Sequence, residues 1–168
     1  LNSMASRFIM LERTRGNTVA ASEYFSSVGI ANVILSLILL LPSALCVYFL
    51  DSLFDVPVLM VFEVKLTFAL TFSNFILQLL FSIFSNCYYI TNTLYIRSLR
   101  TAQASIINVA VVLGLFFLFE DRISYVVIGT LAATAFSVGM NWYYSRTLTP
   151  DLKFSLSNFR VKKVMEIL

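Results

Sequence analysis

The residues best placed to do chemistry in this chain are neutral hydrogen-bonding side chains set at helical spacing in apolar surroundings. Asn74, Gln78, Ser82 and Ser85 follow one another at steps of three or four, and Tyr89 continues the series. Such steps stack side chains on one face of an α-helix. Amides and hydroxyls both donate and accept hydrogen bonds, so a file of them suits sugar hydroxyls. Asn108 and Asn141 are further candidate cavity-lining amides, with Asn32, Ser36, Gln103, Thr130, Thr134 and Ser137 in similar surroundings. Two readings compete. These groups tie one helix to another, at about 0.6–2 kcal/mol each, or they line a hydrophilic path for a polar substrate. The length of the series from Asn74 to Ser85 is the argument for the path.

Charged candidates flank that series. Glu63 and Lys65 stand near one end and Arg97 and Arg100 beyond the other, as possible vestibule charges. For Glu63 and Lys65 the alternative is that they snorkel to an interface. The sequence has no histidine, which removes the commonest general base and metal ligand. Ser-His-Asp, Cys-His and zinc-protease chemistry are thereby excluded within these residues. Cys46 and Cys87 form no CxxC pair and no metal spacing, and read as small apolar residues. No catalytic, cofactor or metal site is expected, and the chain does not read as an enzyme.

The elements that must position these residues follow from composition. Hydrophobic residues make up 59% and charged residues 12%, and the mean hydropathy is +0.85. A soluble domain carries about 25% charged residues. The charges also cluster, leaving 24–50, 66–96, 101–119 and 123–145 without any. Roughly 20 apolar residues in a helix cross the hydrocarbon core. A membrane β-barrel would need strands of about 10 residues that alternate in polarity, and the run from Val33 to Leu41 does not alternate. The predicted fold is therefore all-α: a polytopic transmembrane helix bundle in contact with the lipid bilayer. It has about four full spans, near 26–50, 66–91, 102–119 and 123–144.

Four spans place 1–23, 92–101 and 146–168 on one side. That side holds Arg7, Arg13, Arg15, Arg97, Arg100, Arg146, Lys153, Arg160, Lys162 and Lys163, and leaves only Lys65 and Arg122 opposite. Basic loops stay cytoplasmic, which predicts a multi-pass protein of the cell membrane with its basic loops and tail inside. No basic patch suited to nucleic acid is evident.

Smaller signals punctuate the spans. Gly16-Asn17 breaks a first helix, and Thr18 is a plausible N-cap for the next. Pro42 should kink the first span, with Ser43 near enough to satisfy the freed carbonyl. Glu120-Asp121-Arg122 marks a hairpin. Gly129, Ala133 and Gly139 supply small residues for close helix approach. Trp142, Tyr143 and Tyr144 read as an interfacial aromatic belt, and Pro150 stops the helix. The tail, partly amphipathic, is expected to lie along the cytoplasmic interface.

A family resemblance is carried by 2–9 (N-S-M-A-S-R-F-I), by Gly16-Asn17, by A-x-E-Y-F-x-S-V at 21–28 and by Asp55-Val56-Pro57. It continues through 94–100, Ile106-Ile107-Asn108 and the Tyr143-Tyr144 ending before L-T-P-D-L-K at 148–153. The chain resembles the bacterial polysaccharide flippases, the Wzx-type O-antigen and capsule exporters, relatives of the multidrug-and-toxin exporters. The resemblance implies an internal fragment, from the second helix to the start of the seventh, within the amino-terminal six-helix lobe. The whole would have roughly a dozen spans and two rocking bundles, so the remaining helices of the same chain would be partners. It also implies a function: flipping undecaprenyl-diphosphate-linked oligosaccharide across the bacterial cytoplasmic membrane for surface polysaccharide. Family cavities tend to be cationic, and here the nearest cations, Lys65, Arg97 and Arg100, sit at span ends. The alternatives are a multidrug/toxin-type cation-coupled exporter and a membrane-embedded glycan-assembly protein. The latter would call for a large external loop that this pattern lacks.

Overall fold

The computed structural model describes residues 2–119, 122–155 and 158–167. Among these, eight α-helices follow in order: α1 (Asn2–Thr14), α2 (Thr18–Tyr48), α3 (Leu50–Leu53), α4 (Val61–Phe81), α5 (Cys87–Ile90), α6 (Leu94–Leu118), α7 (Ser124–Leu148) and α8 (Val161–Ile167). Two 3₁₀ turns, Val58–Met60 and Ser82–Asn86, flank α4. Four stretches, Thr18–Tyr48, Val58–Ile90, Leu94–Leu118 and Ser124–Leu148, are long and apolar enough to cross a membrane. The fold is the all-α bundle that the charge-free windows predict. Glu120 and Asp121 of the expected hairpin turn lie outside the described residues.

The turns form for readable local reasons. Gly16 has φ +79°, its N–H bonds the Arg13 carbonyl, and the Asn17 N–H bonds the Glu12 carbonyl, both at 3.0 Å. This is the Schellman ending, which places a left-handed residue just past the helix. Asn92, with φ 54°, repeats the device after α5: its N–H reaches the Tyr89 carbonyl and the Thr93 N–H reaches that of Tyr88. Asparagine is the residue after glycine that best tolerates this conformation. The N-cap of α2 is Asn17, whose side chain accepts from the Ala20 N–H at 3.1 Å. Thr18, the sequence candidate, is instead the first helical residue. Pro42 lies inside α2. Its missing donor would have served the Ile38 carbonyl, whereas the Ser43 hydroxyl donates to the Leu39 carbonyl at 2.7 Å.

Polarity is distributed inside-out relative to a protein in water. Ser26, Ser27, Asn32, Ser36, Asn74, Asn86 and Thr134 are buried, while Leu35, Leu37, Ile38, Leu40 and Leu41 are exposed. Between helices in lipid, small and polar residues make the contacts and large apolar ones face the hydrocarbon. An apolar core lies where α1 and the first turns of α2 meet Ile83 and Ile90, and is built on Ile9, Phe25 and Val28. The second half of α2 leaves that core behind.

Charge separates by end. At one end the last turn of α1 meets the residues that follow α7: Arg13 makes a two-pronged contact with Asp151 at 2.8 and 2.9 Å. At the other end Lys65 pairs with Asp51 at 2.8 Å, and the Glu63 carboxylate accepts the Ile123 N–H at 2.6 Å.

The residues after α7 fold back onto α2. Pro150 opens an extended strap whose backbone runs along a row of α2 serines. Ser22 pairs with the backbone at Asp151 and Lys153, Ser26 with Lys153 and Ser155, and Ser27 with Asn158 and Arg160. Phe154 presses on Gly29, where an added Cβ would stand 2.6 Å from its ring. Arg160 pairs with Glu23, and Tyr24 donates to Glu166. The tail is thus bound to the bundle through 151–155 and 158–166, a docking that its weak amphipathic pattern did not disclose.

Close packing in the hairpin of α6 and α7 depends on Gly129. A Cβ there would lie 2.4 Å from Val112 Cγ2, 2.6 Å from Asn108 Oδ1 and 3.0 Å from the Asn108 backbone carbonyl. Gly114 and Gly139 would meet nothing within 4 Å, so Gly139, expected from sequence to share this role, does not. Gly129→Ala is expected to destabilise the hairpin by about 1–3 kcal/mol, the usual range for overpacking. Gly139→Ala should be neutral or stabilising by up to about 1 kcal/mol, through helix propensity. Thermal unfolding of the two variants in one detergent, followed by circular dichroism, makes the comparison.

Candidate functional site

The polar series on α4 does not continue as a straight file, because α4 stops being an α-helix at Phe81. The Ser82 hydroxyl donates to the Leu79 carbonyl at 2.8 Å and that of Ser85 to the Ser82 carbonyl at 2.7 Å. Hydroxyls that bond their own backbone compete with the i→i−4 ladder, and Ser82–Asn86 is wound as a 3₁₀ turn. Three residues per turn in place of 3.6 changes the direction in which each following side chain points. Ser82 accepts from Asn2 Nδ2 at 2.8 Å and Asn32 Nδ2 at 3.1 Å. It is therefore tied to both α1 and α2. Gln78, one turn earlier, reaches Thr134 of α7 at 3.4 Å.

Between this break, the first turns of α6 and the middle of α7 lies a cavity of about 350 Å³. Gln78, Ser82 and Ser85 line one wall. Thr130, Thr134, Ser137 and Asn141 line the opposite one, in helical steps along α7. Ala133 also faces this cavity. Arg97 and Arg100, projecting from α6, join the lining with Thr101, and Phe81 and Val138 add apolar patches. The sequence placed these arginines at a span end; the fold brings them alongside the amides and hydroxyls. No carboxylate among the described residues lines the cavity.

The two arginines are held by neutral partners. Arg100 donates to Gln103 Oε1 and to the Tyr144 hydroxyl, both at 2.6 Å, with its guanidinium 5.3 Å from the Tyr144 ring centroid. Its Nε is buried and makes no hydrogen bond. Arg97 donates to the Tyr89 hydroxyl and lies 5.0 Å from that ring's centroid. Neither has an acidic partner within ion-pair distance among the described residues. A cation taken partly out of water without a counter-charge is costly, and an anion entering the cavity would remove that cost. Neutral acceptors fix both side chains without cancelling their charge.

Other sequence candidates stand elsewhere. Asn74 is buried on α4, with its carbonyl oxygen unpaired, and does not line the cavity. Asn108 packs its amide against Gly129 in the contact of α6 with α7, where its oxygen also lacks a partner. Helical spacing gives the face of a residue on its own helix, and the neighbour that meets that face comes only with the fold. Glu63 and Lys65 serve the opposite end. Lys65 also donates to the Tyr48 carbonyl at 3.1 Å and borders an apolar groove of about 810 Å³ between α2 and α4. The hydrogen bond from Lys65 chiefly holds the Asp51 carboxyl below its ordinary range. This pair therefore contributes at neutral pH, and its contribution is lost as pH falls through the lowered Asp51 pKa. The contribution of Thr130 and Ser137 as a matched wall was not separable by sequence from ordinary helix contacts. Their four-and-three spacing with Thr134 and Asn141 was the available signal.

If Asn108 is a packing residue, its unpaired oxygen is a cost to the hairpin. Asn108→Val is expected to leave thermal stability unchanged or raise it by about 1 kcal/mol, since removing an unsatisfied buried polar group relieves its desolvation. Detergent-solubilised melting curves test this, and a loss of several degrees would instead assign Asn108 a hydrogen-bonding role.

With the geometry in place, comparison with known proteins adds one relative and two blanks. No protein-family model matches the chain, and no solved structure matches it. A curated relative, described as the uncharacterized membrane protein EpsK of Bacillus subtilis (strain 168), is 32% identical over 165 residues. The alignment takes in 97% of this chain and 33% of EpsK, so the chain spans about a third of the length of the curated relative it matches. The chain is related to a membrane protein, in agreement with its four long apolar helices.

Proposed function

We propose that this chain belongs to a membrane transporter that carries a lipid-linked oligosaccharide with an anionic headgroup across the bacterial cytoplasmic membrane, and that it acts without catalysis. The observation that carries the reading is the cavity: two arginines without acidic partners among the described residues stand beside neutral amides and hydroxyls. The arginines suit a diphosphate, because guanidinium groups pair with phosphate through directed N–H bonds. The neutral walls suit the sugars, whose hydroxyls need both donors and acceptors. The family resemblance supplies the undecaprenyl-diphosphate linkage, and the relationship to a membrane protein supports the setting. A headgroup of this kind cannot cross hydrocarbon unaided, so a hydrated route is what such a protein must offer.

In the orientation we propose, the end with Arg13, Arg97 and Arg100 faces the cytoplasm, following the bias of basic residues. The cavity then receives the headgroup from the side on which lipid-linked sugars are assembled. A multidrug exporter is the weaker reading, since a cationic drug would meet two uncompensated arginines. A glycan-assembly protein would need acid–base groups, and the polar part of the cavity lining is amides, hydroxyls and guanidinium groups.

The test is complementation of a flippase-deficient strain by the full-length protein. Arg100→Gln and Arg97→Gln are each expected to reduce surface polysaccharide by about tenfold, the cost of one charge-assisted contact of about 1.5 kcal/mol or somewhat more. Protein level in the membrane should stay unchanged. Full restoration by the double variant would contradict the proposed role of the arginines. Failure of the unsubstituted protein to restore any polysaccharide would contradict the transport reading itself.

A further inference from the structure

A second cavity lies at the basic end, apart from the site of Arg97 and Arg100. It measures about 600 Å³ and opens between the last turns of α7 and the strap that follows it. Its floor is apolar, built from Phe25, Phe84 and Phe154. Two cations, Arg146 and Lys153, border it. At the same end Arg13, Arg15, Arg160 and Lys163 all have carboxylate partners, whereas Arg146 and Lys153 have none within ion-pair distance among the described residues. Arg146 is positioned by a ring instead, its guanidinium 4.2 Å from the Trp142 centroid. Stacking of this kind orients the group and leaves its N–H edges open. Trp142 and the adjacent Tyr143 are exposed at the end of a membrane-length helix, the level at which indole and phenol rings meet lipid headgroups.

Three kinds of occupant can be weighed. A free inorganic anion would answer the two cations and leave the aromatic floor wet. A zwitterionic lipid would cover the floor while bringing its own cation toward Arg146 and Lys153. An anionic phospholipid answers both demands, with its phosphate between the cations and the start of an acyl chain on the phenylalanines.

We propose that this cavity seats an anionic phospholipid of the leaflet at the basic end, with Arg146 and Lys153 holding the headgroup phosphate. The site joins three parts of the fold: α7 through Arg146 and Trp142, the strap through Lys153 and Phe154, and α2 through Phe25. A lipid bound there pins the strap to the membrane surface at the point where Phe154 presses on Gly29. The inference does not rest on the transport reading. It would hold for any protein with this end at a membrane surface.

Trp142 is the one tryptophan in the sequence, which gives the site its own reporter. The full-length protein, with any tryptophan outside these residues replaced by phenylalanine, is reconstituted in phosphatidylcholine vesicles in which a fixed fraction of lipid is either dibrominated phosphatidylglycerol or dibrominated phosphatidylcholine. Bromine quenches tryptophan on contact. Brominated phosphatidylglycerol is expected to quench Trp142 at least about twofold more than brominated phosphatidylcholine, as two juxtamembrane cations should enrich an anionic lipid. Arg146→Gln with Lys153→Gln should abolish the difference at unchanged helical content. Lys153→Gln alone, which leaves the Trp142 contact in place, should reduce it. Equal quenching by the two lipids would overturn the proposal, as would a preference that survives the double substitution. Displacement of the brominated phosphatidylglycerol by millimolar inorganic phosphate would also overturn it, assigning the site to a free anion.

Discussion

Hydrocarbon offers no hydrogen-bond partner, and the rest of this structure depends on that constraint. Every amide and hydroxyl within the four long helices must find another protein group or a cavity, or be left unpaired at a cost of some kcal/mol. The chain meets this demand in two ways. At the basic end, Asn2, Asn32 and Ser82 bond one another, and the serines of α2 bond the strap. Along α7, Thr130, Ser137 and Asn141 border a cavity, with the Thr130 hydroxyl also donating to the Val126 carbonyl at 2.9 Å. Large apolar residues take the outward positions that remain.

The same constraint gives the arginines their meaning. In water, Arg97 and Arg100 would need no explanation. Beside a cavity flanked by apolar helices, two cations held among the described residues by tyrosine and glutamine side chains carry a charge that no acidic partner there answers. Because the partners are neutral, the full positive potential reaches the cavity. The 3₁₀ turn at Ser82–Asn86 contributes as well. By shifting the phase of the helix it lets Gln78 address α7 while Ser82 addresses α1 and α2. One stretch of sequence thereby serves both a structural joint and a cavity wall.

Sequence made the architecture legible because membrane helices are coded by the simplest of signals, the absence of charge over a sufficient length. What sequence could not give is the pairing of faces. Asn74, Gln78, Ser82 and Ser85 looked like one stripe because an unbroken α-helix was assumed, and the serine hydroxyls that break it act on their own backbone. Asn108 looked like a polar path residue, and Gly129 claims the space beside it. Arg97 and Arg100 were legible as vestibule charges at a span end, but not as cavity lining, since their entry into the cavity depends on α6 beginning at Leu94, just after the left-handed turn at Asn92. The strap was least legible, because a serine row on α2 and an extended segment more than 120 residues later carry no shared pattern (Ser26 and Lys153 are 127 apart).

The most direct measurement of the central claim is a nitroxide scan along α7 in reconstituted vesicles, comparing relaxation by oxygen, which concentrates in lipid, with relaxation by a water-soluble nickel chelate. Labels at Thr130, Ser137 and Asn141 should respond to nickel, and labels at the outward positions Ala135 and Gly139 should respond to oxygen, with a period near 3.6 residues. Uniform oxygen access around the helix would contradict a hydrated cavity between α4, α6 and α7, and with it the account of this protein as a carrier of a polar headgroup.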